Sequence, residues 1–272
     1  MRKGKAYGLL PLLGIMFMLA SMLMVLGGSE EETIVIQPCL SNNISIMRNN
    51  DHSSMEQPLV VSSGCRTDGR QPSDERGLLK FDLSEIPKGW RVKEARLELY
   101  VIGTYIWDEG REEWQPTPSL TRLIYVNRLI KDWKGWSFTY WSYANFPDSS
   151  WDNPGGDFNP SNAKVNFEHP GSWNLWMVTE DVREWYELEE PNYGWLLKDA
   201  EEGSKIGYRV EYMNWFYVWD VKYSPKLVVH LVKDGWWMFG QFGLNVDGLR
   251  FVPYMCCVEP FRVITAIRER VN

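Results

Sequence analysis

The segment from Gly77 to Val101 constrains the fold more than any other part of the chain. Leu79, Phe81 and Leu83 alternate with Lys80 and Asp82. After a turn at Pro87-Lys88-Gly89, the residues Ala95, Leu97, Leu99 and Val101 alternate with Arg96, Glu98 and Tyr100. Neighbouring side chains on a strand point to opposite faces, so a period of two buries one set and leaves the other in water. Two such strands need a second sheet to bury against. The chain is therefore expected to be all-β, an antiparallel β-sandwich of about ten to twelve strands with one short helix.

The other strands are expected at 33–37, 42–47, 58–61, 120–130, 163–168, 172–178 and 195–198. A hairpin is expected from 206–212 and 215–221, and a closing strand at 225–232. Thr179 is placed to cap a helix whose first turn carries Glu180 and Asp181, where the helix dipole favours anions; Val182, Trp185 and Tyr186 share one face. Two long segments, 102–119 and 134–162, read as aromatic loops, and loops of that length are usually functional.

Arg2, Lys3 and Lys5 precede an uncharged run from Ala6 to Ser29, with small residues at Gly27-Gly28-Ser29. That pattern predicts export, with residues 1–29 as a cleaved signal peptide. As a helix the run would be about 36 Å long, enough to cross a hydrocarbon core of about 30 Å, so an uncleaved membrane anchor fits as well. The bulk of the protein is expected outside, secreted or at the cell surface. The sandwich spans 30–233, and 234–272 form a C-terminal tail without an assigned role.

Without residues 1–28 the chain keeps 26 basic against 36 acidic residues, a balance of −10. Phosphate binding needs a basic face, so nucleic acid is excluded as a partner. Cys39 and Cys65 are expected to form a disulfide that ties the first strands together, contributing on the order of 3 kcal/mol. Cys256 and Cys257 show no metal-ligand spacing.

None of His52, His169 and His230 stands in a metal or nucleophile spacing, and no catalytic motif is visible, so no enzyme activity is expected. Binding is the better expectation. Trp107, Trp114, Trp136, Trp141 and Trp151 fall in the two long segments beside Asp, Glu and Asn. An aromatic ring can cover the apolar face of a sugar while carboxylates and amides hold its hydroxyls, which points to a polysaccharide or glycan ligand. The opposing expectation for each ring is a small local core, since large apolar side chains are mostly buried. A further alternative is a structural surface protein whose loops contact other proteins. Asp148, Asp152, Asn153, Asp157 and Asn159 supply oxygen ligands around Gly155-Gly156, a set that could hold calcium; the same residue types are ordinary turn formers.

Several pieces recur in a recognisable order: 77–87, Ala95-Arg96-Leu97-Glu98-Leu99-Tyr100, Tyr125-Val126-Asn127-Arg128 with Trp133, Trp141-Ser142-Tyr143, Gly155-Gly156-Asp157-Phe158, 178–185, 192–198 and 224–229. In this the chain resembles the DNRLRE domain family, extracellular modules of bacteria and archaea, over about residues 33–232. The hexapeptide that names the family is absent; the late strand region reads Ile206-Gly207-Tyr208-Arg209-Val210-Glu211-Tyr212. The resemblance implies a jelly-roll-like sandwich and, for some relatives, carbohydrate binding. It carries no ligand residues over to this chain.

Overall fold

A computed structural model describes residues 29–46, 58–64, 73–135, 137–160, 163–165, 168–214 and 221–233, and the backbone of 240–241 and 254–255. The chain divides into two compact units, 31–232 and the termini 1–30 with 233–272. In the second unit, Gly240–Gln241 pairs antiparallel with Tyr254–Met255. The expected signal or anchor helix, Cys65, Cys256, Cys257, Trp136, the strand at 215–221 up to residue 220, and most of the tail lie outside the described residues. No helix among the described residues is long and apolar enough to cross a membrane.

The described residues are all-β and antiparallel, with one α-helix among them. Its strands are β1 (Glu30–Ile36), β2 (Pro38–Ser45), β3 (Leu59–Ser63), β4 (Glu75–Phe81), β5 (Arg91–Asp108), β6 (Glu113–Pro116) and β7 (Ile124–Leu129). Then come β8 (Tyr143–Asn145), β9 (Ser149–Ser150), β10 (Phe158–Asn159), β11 (Lys164–Val165), β12 (Trp173–Met177), helix α1 (Thr179–Glu187), β13 (Trp195–Asp199), β14 (Tyr208–Tyr212) and β15 (Lys226–Lys233). Hydrogen bonding runs in the order β1-β15-β5-β14-β3-β4-β13-β7-β10, with β12 and β6 also on β5 and β2 on β4.

The alternating segment that dominates the sequence becomes β4 and β5, and β5 belongs to both layers. Its first half pairs with β15 and β12, as in Leu97 with Leu227 and with Trp176. Its second half pairs with β14 and β6. The exchange happens between Leu99, opposite Asn174, and Val101, opposite Tyr212. Both layers then bury their inner faces in one core, with Leu97, Leu99, Trp176 and Val229 from one side and Val61, Leu79, Val126 and Trp195 from the other. Charged Glu30, Glu31 and Glu32 stand exposed on β1 at the margin, where charge discourages edge-to-edge pairing.

Three expectations need correction. Residues 102–119 are not a loop: β5 continues to Asp108 and returns as β6, because Tyr105-Ile106-Trp107 keeps the strand period and Asp108 closes the turn by accepting from the Gly110 and Arg111 N–H groups at 2.8 and 3.2 Å. The strand expected at 206–212 is Tyr208–Tyr212, and its two edges pair with β3 and β5. Thr179 is the first residue of α1, after Val178 at the N-cap; its hydroxyl accepts from the Ala95 N–H at 3.1 Å, so it fastens the helix to β5.

The outer face of β4, β13 and β7 is not wet. Leu78, Leu129 and Leu196 point away from the main core and are buried with Ile44, Trp133, Trp141, Ala144 and Trp151 in a second one. The segment from 131 to 159 is thus a cover laid over the sheet. Arg76 joins the two: its guanidinium lies 4.6 Å from the Trp141 ring, donates to the Gly155 carbonyl at 2.6 Å, and pairs with both oxygens of Glu202 at 2.7 Å. Gly155 has φ +95, and a Cβ there would strike the Arg76 guanidinium.

Candidate functional site

Two of the predicted tryptophans come together. Trp107 on β5 lies directly across the hairpin from Trp114 on β6, with ring centroids 5.4 Å apart and planes at 74°, the edge-to-face arrangement that aromatic quadrupoles favour. Both rings are half-buried, so part of each stands in solvent. The strand period puts Tyr105 on the same face as Trp107, and β14 adds Arg209 opposite Tyr105 and Glu211 opposite Gly103.

The polar groups beside the rings are held by one another. Arg209 donates to Glu211 at 2.9 Å and to Glu75 at 3.1 Å, and its guanidinium carbon is 5.9 Å from the Trp114 ring centroid, within cation–π range. The Tyr105 hydroxyl donates to Glu211 at 3.2 Å. Burial, and then the Glu211 charge, push the Tyr105 phenol above its ordinary value, so it stays a donor at neutral pH. Gly103 makes this possible, because a Cβ there would come within 2.5 Å of the Tyr105 oxygen. The indole N–H of Trp107 is buried and has no hydrogen-bond partner among the described residues.

The cover segment holds the other rings differently. Trp141 is 8 % exposed and Trp151 4 %. Their faces are packed in the second core, and the Trp151 N–H is spent on the Tyr140 carbonyl at 2.9 Å. Rings so enclosed cannot lie against a sugar, so both are corrected from ligand residues to core residues. Trp136 lies outside the described residues. The outside of the cover shows rings that the tryptophan pattern did not single out. Phe138 and Phe146 are 50 % and 45 % exposed, and Phe146 packs edge-on against Tyr140 and Tyr143 at 5.8 and 5.1 Å.

The oxygen set proposed for calcium is spread over several tasks. Asp157 is buried and accepts from the Asp152 and Asn153 N–H groups, both at 2.8 Å, and from the Asn153 amide at 3.1 Å. The Lys131 ammonium stands 2.8 Å from Asp152 and 3.8 Å from Asp157, so a lysine already supplies positive charge there. Asp148 is exposed before β9, and Asn159 lies on β10 opposite Arg128. Among the described residues no group of three or more His, Cys, Asp or Glu is gathered for a metal.

The most displaced acid is elsewhere. Glu168 is 0 % exposed and bridges Leu120 through its backbone. One carboxyl oxygen accepts from the Arg122 N–H at 3.2 Å; the other has no partner among the described residues. Burial pushes its pKa up to about 8, and Asp199 adds to the effect. The Arg122 guanidinium is turned elsewhere, to Asp199 at 2.7 and 2.8 Å and Glu201 at 2.9 Å, and lies 4.2 Å from the Tyr208 ring. Enclosed in this way, Glu168 cannot reach a polymer. Of the histidines, His52 lies outside the described residues, His169 is exposed, and His230 sits between Thr33 at 2.8 Å and Arg96 at 3.3 Å. Cys39 is exposed on β2, its thiol donating to the Lys80 carbonyl at 3.3 Å.

No protein-family model matches the chain, and no curated protein matches it. The sequence pattern singles out Trp107 and Trp114 as candidates; Tyr105, Arg209 and Glu211, which the structure places beside them, it does not. The available signal was the period-two run Tyr105-Ile106-Trp107, which puts Tyr105 and Trp107 on one face.

Proposed function

We propose that the chain is an exported, non-catalytic surface module that binds polysaccharide or glycan through the Trp107–Trp114 face. The observation that carries this reading is the pair of edge-to-face indoles, half in solvent, with Tyr105, Arg209 and Glu211 beside them. Carbohydrate sites combine aromatic surface with a few fixed polar groups, and here those groups are held in place before any ligand arrives. The resemblance to the DNRLRE family, with its jelly-roll-like sandwich, and the basic and apolar N-terminal segment support the same reading. An oxidised Cys39–Cys65 bridge belongs with it, since exported chains meet oxidising surroundings.

The test is retention of the purified protein on a panel of insoluble and immobilised polysaccharides. Trp107→Ala with Trp114→Ala is expected to abolish retention while the circular dichroism spectrum stays that of the parent. Retention unchanged in that double variant would exclude this face. A second reading, an assembly subunit or adhesin making protein contacts, is favoured by the exposed Phe138 and Phe146. It predicts self-association in sedimentation that Phe138→Ser with Phe146→Ser removes, and no retention on any polysaccharide.

A further inference from the structure

The layer built from β1, β15, β5 and β12 has two margins, and they are built differently. Leu97 of β5 lies opposite Leu227 on one side and Trp176 on the other, so β12 closes the layer at the margin away from β1. A margin strand presents a row of backbone N–H and C=O groups that invites another strand unless something blunts it. On β1 the blunting is charge, at Glu31 and Glu32. Past the end of β12, α1 covers β5 itself: Arg183 donates to the Val92 and Lys93 carbonyls at 2.8 and 2.9 Å, and Glu187 accepts from the Val92 N–H at 2.7 Å. In the other layer, β6 is four residues long and ends in proline.

β12 has none of these devices. From Ser172 to Val178 it holds no charged residue and no proline. The Val178 N–H donates to the Ala95 carbonyl at 2.9 Å, and the Ser172 carbonyl accepts from the Val101 N–H at 2.9 Å, so the even-numbered residues turn their backbone toward β5. Trp173, Leu175 and Met177 therefore aim theirs outward. Among the described residues no strand pairs on that side. The same residues carry the side chains of the outer face, for Asn174 and Trp176 are buried while Leu175 and Met177 are exposed.

We propose that β12 is the seam of a symmetric dimer: a second copy of this chain lays its own β12 antiparallel along the first, and two layers merge into one sheet. Such a contact must be self-complementary. With Leu175 on the two-fold axis, Leu175 faces its own copy and Trp173 faces Met177. All three are residues whose outward backbone groups can exchange hydrogen bonds. The resulting row of side chains is apolar, with a thioether against an indole at each end. A foreign strand chosen by charge would find none to read here, whereas an identical strand meets no like charge. The seam is separate from the Trp107–Trp114 face and from Phe138 and Phe146, and it holds whether or not the indoles take a glycan.

The experiment is sedimentation velocity of the full chain between about 1 and 100 µM, because so short a seam is expected to dissociate in the micromolar range. The parent is expected to pass from monomer to dimer across that span. Leu175→Lys and Leu175→Glu, at an exposed position, each put like charges on the axis and are expected to weaken the dimer by about tenfold or more, with an unchanged circular dichroism spectrum. Mixed together, the two variants are expected to associate again, as a dimer of one with the other, because the axis then joins opposite charges. A parent that stays monomeric, a dimer that survives either variant, or a mixture no more associated than its components would overturn the proposal. So would a dimer abolished by Phe138→Ser with Phe146→Ser, which would put the contact on the cover.

Discussion

Glu168 concentrates the electrostatic consequences of this fold in one side chain. It lies inside the protein with one oxygen on the Arg122 N–H, while the nearest guanidinium is committed to Asp199 and Glu201. Its pKa rises from an ordinary 4.5 to about 8 because burial penalises the ionised form. Between those values the folded protein holds a proton that the unfolded chain has lost, so this group makes stability fall as pH rises. One proton corresponds to about 1.4 kcal/mol per pH unit across that window. Glu168→Gln keeps the shape and removes the titration. Denaturant midpoints measured across the window are expected to decline less steeply in the variant, which is the more stable protein at the alkaline end. A parent and variant with parallel profiles would show that Glu168 is not the titrating group. Nothing in the sequence distinguishes Glu168 from the other acidic residues. Its burial is set by Leu120, Arg122 and Asp199, which reach it only through tertiary pairing.

At the scale of elements, the cover over β4, β13 and β7 decides what the tryptophans are for. Trp133, Trp141 and Trp151 fill the space between that sheet and residues 131–159, and Arg76 clamps the segment from below. Removing so large a buried ring costs about 3–5 kcal/mol. Trp141→Ala and Trp151→Ala are each expected to lower the unfolding free energy by that amount, read as a lower denaturant midpoint, and to open the cover segment to protease before the rest of the chain. Retention on polysaccharide at low temperature, where the fold persists, is expected to survive either change. The richness of this segment in rings was legible in the sequence, but their direction was not. The clue lay in a different place: Leu78-Leu79 and Leu196-Leu197 are consecutive apolar pairs, and a strand buried on both faces reads that way. The alternation of Leu79 with Lys80, taken alone, implies a wet outer face, and a wet face leaves the tryptophans available to a ligand. The hairpin shows the opposite case. Its rings stand out in the sequence while its strands do not, because the turn at Asp108 interrupts a period that resumes at Glu113.

For the whole molecule, β5 makes the two layers one cooperative body. The strand is 18 residues long, and its halves are zipped into different sets of partners, β15 and β12 up to Tyr100, β14 and β6 from Val101 onward. Its partners come from distant parts of the chain, so neither layer can order around β5 without bringing in residues more than a hundred positions away, a topology associated with slow folding. The two layers also share one core, so a defect where β5 crosses cannot be confined to one of them. Leu99 is fully buried at that crossing. Leu99→Ala is expected to cost about 2–5 kcal/mol through lost contact and the cavity left behind. Because the strand couples the layers, amide protection in β15 and in β14 should fall by the same factor, and the unfolding transition should remain single. Protection lost in β15 alone would mean that the layers unfold separately. The indole pair would then be carried by a sheet able to stand without its partner.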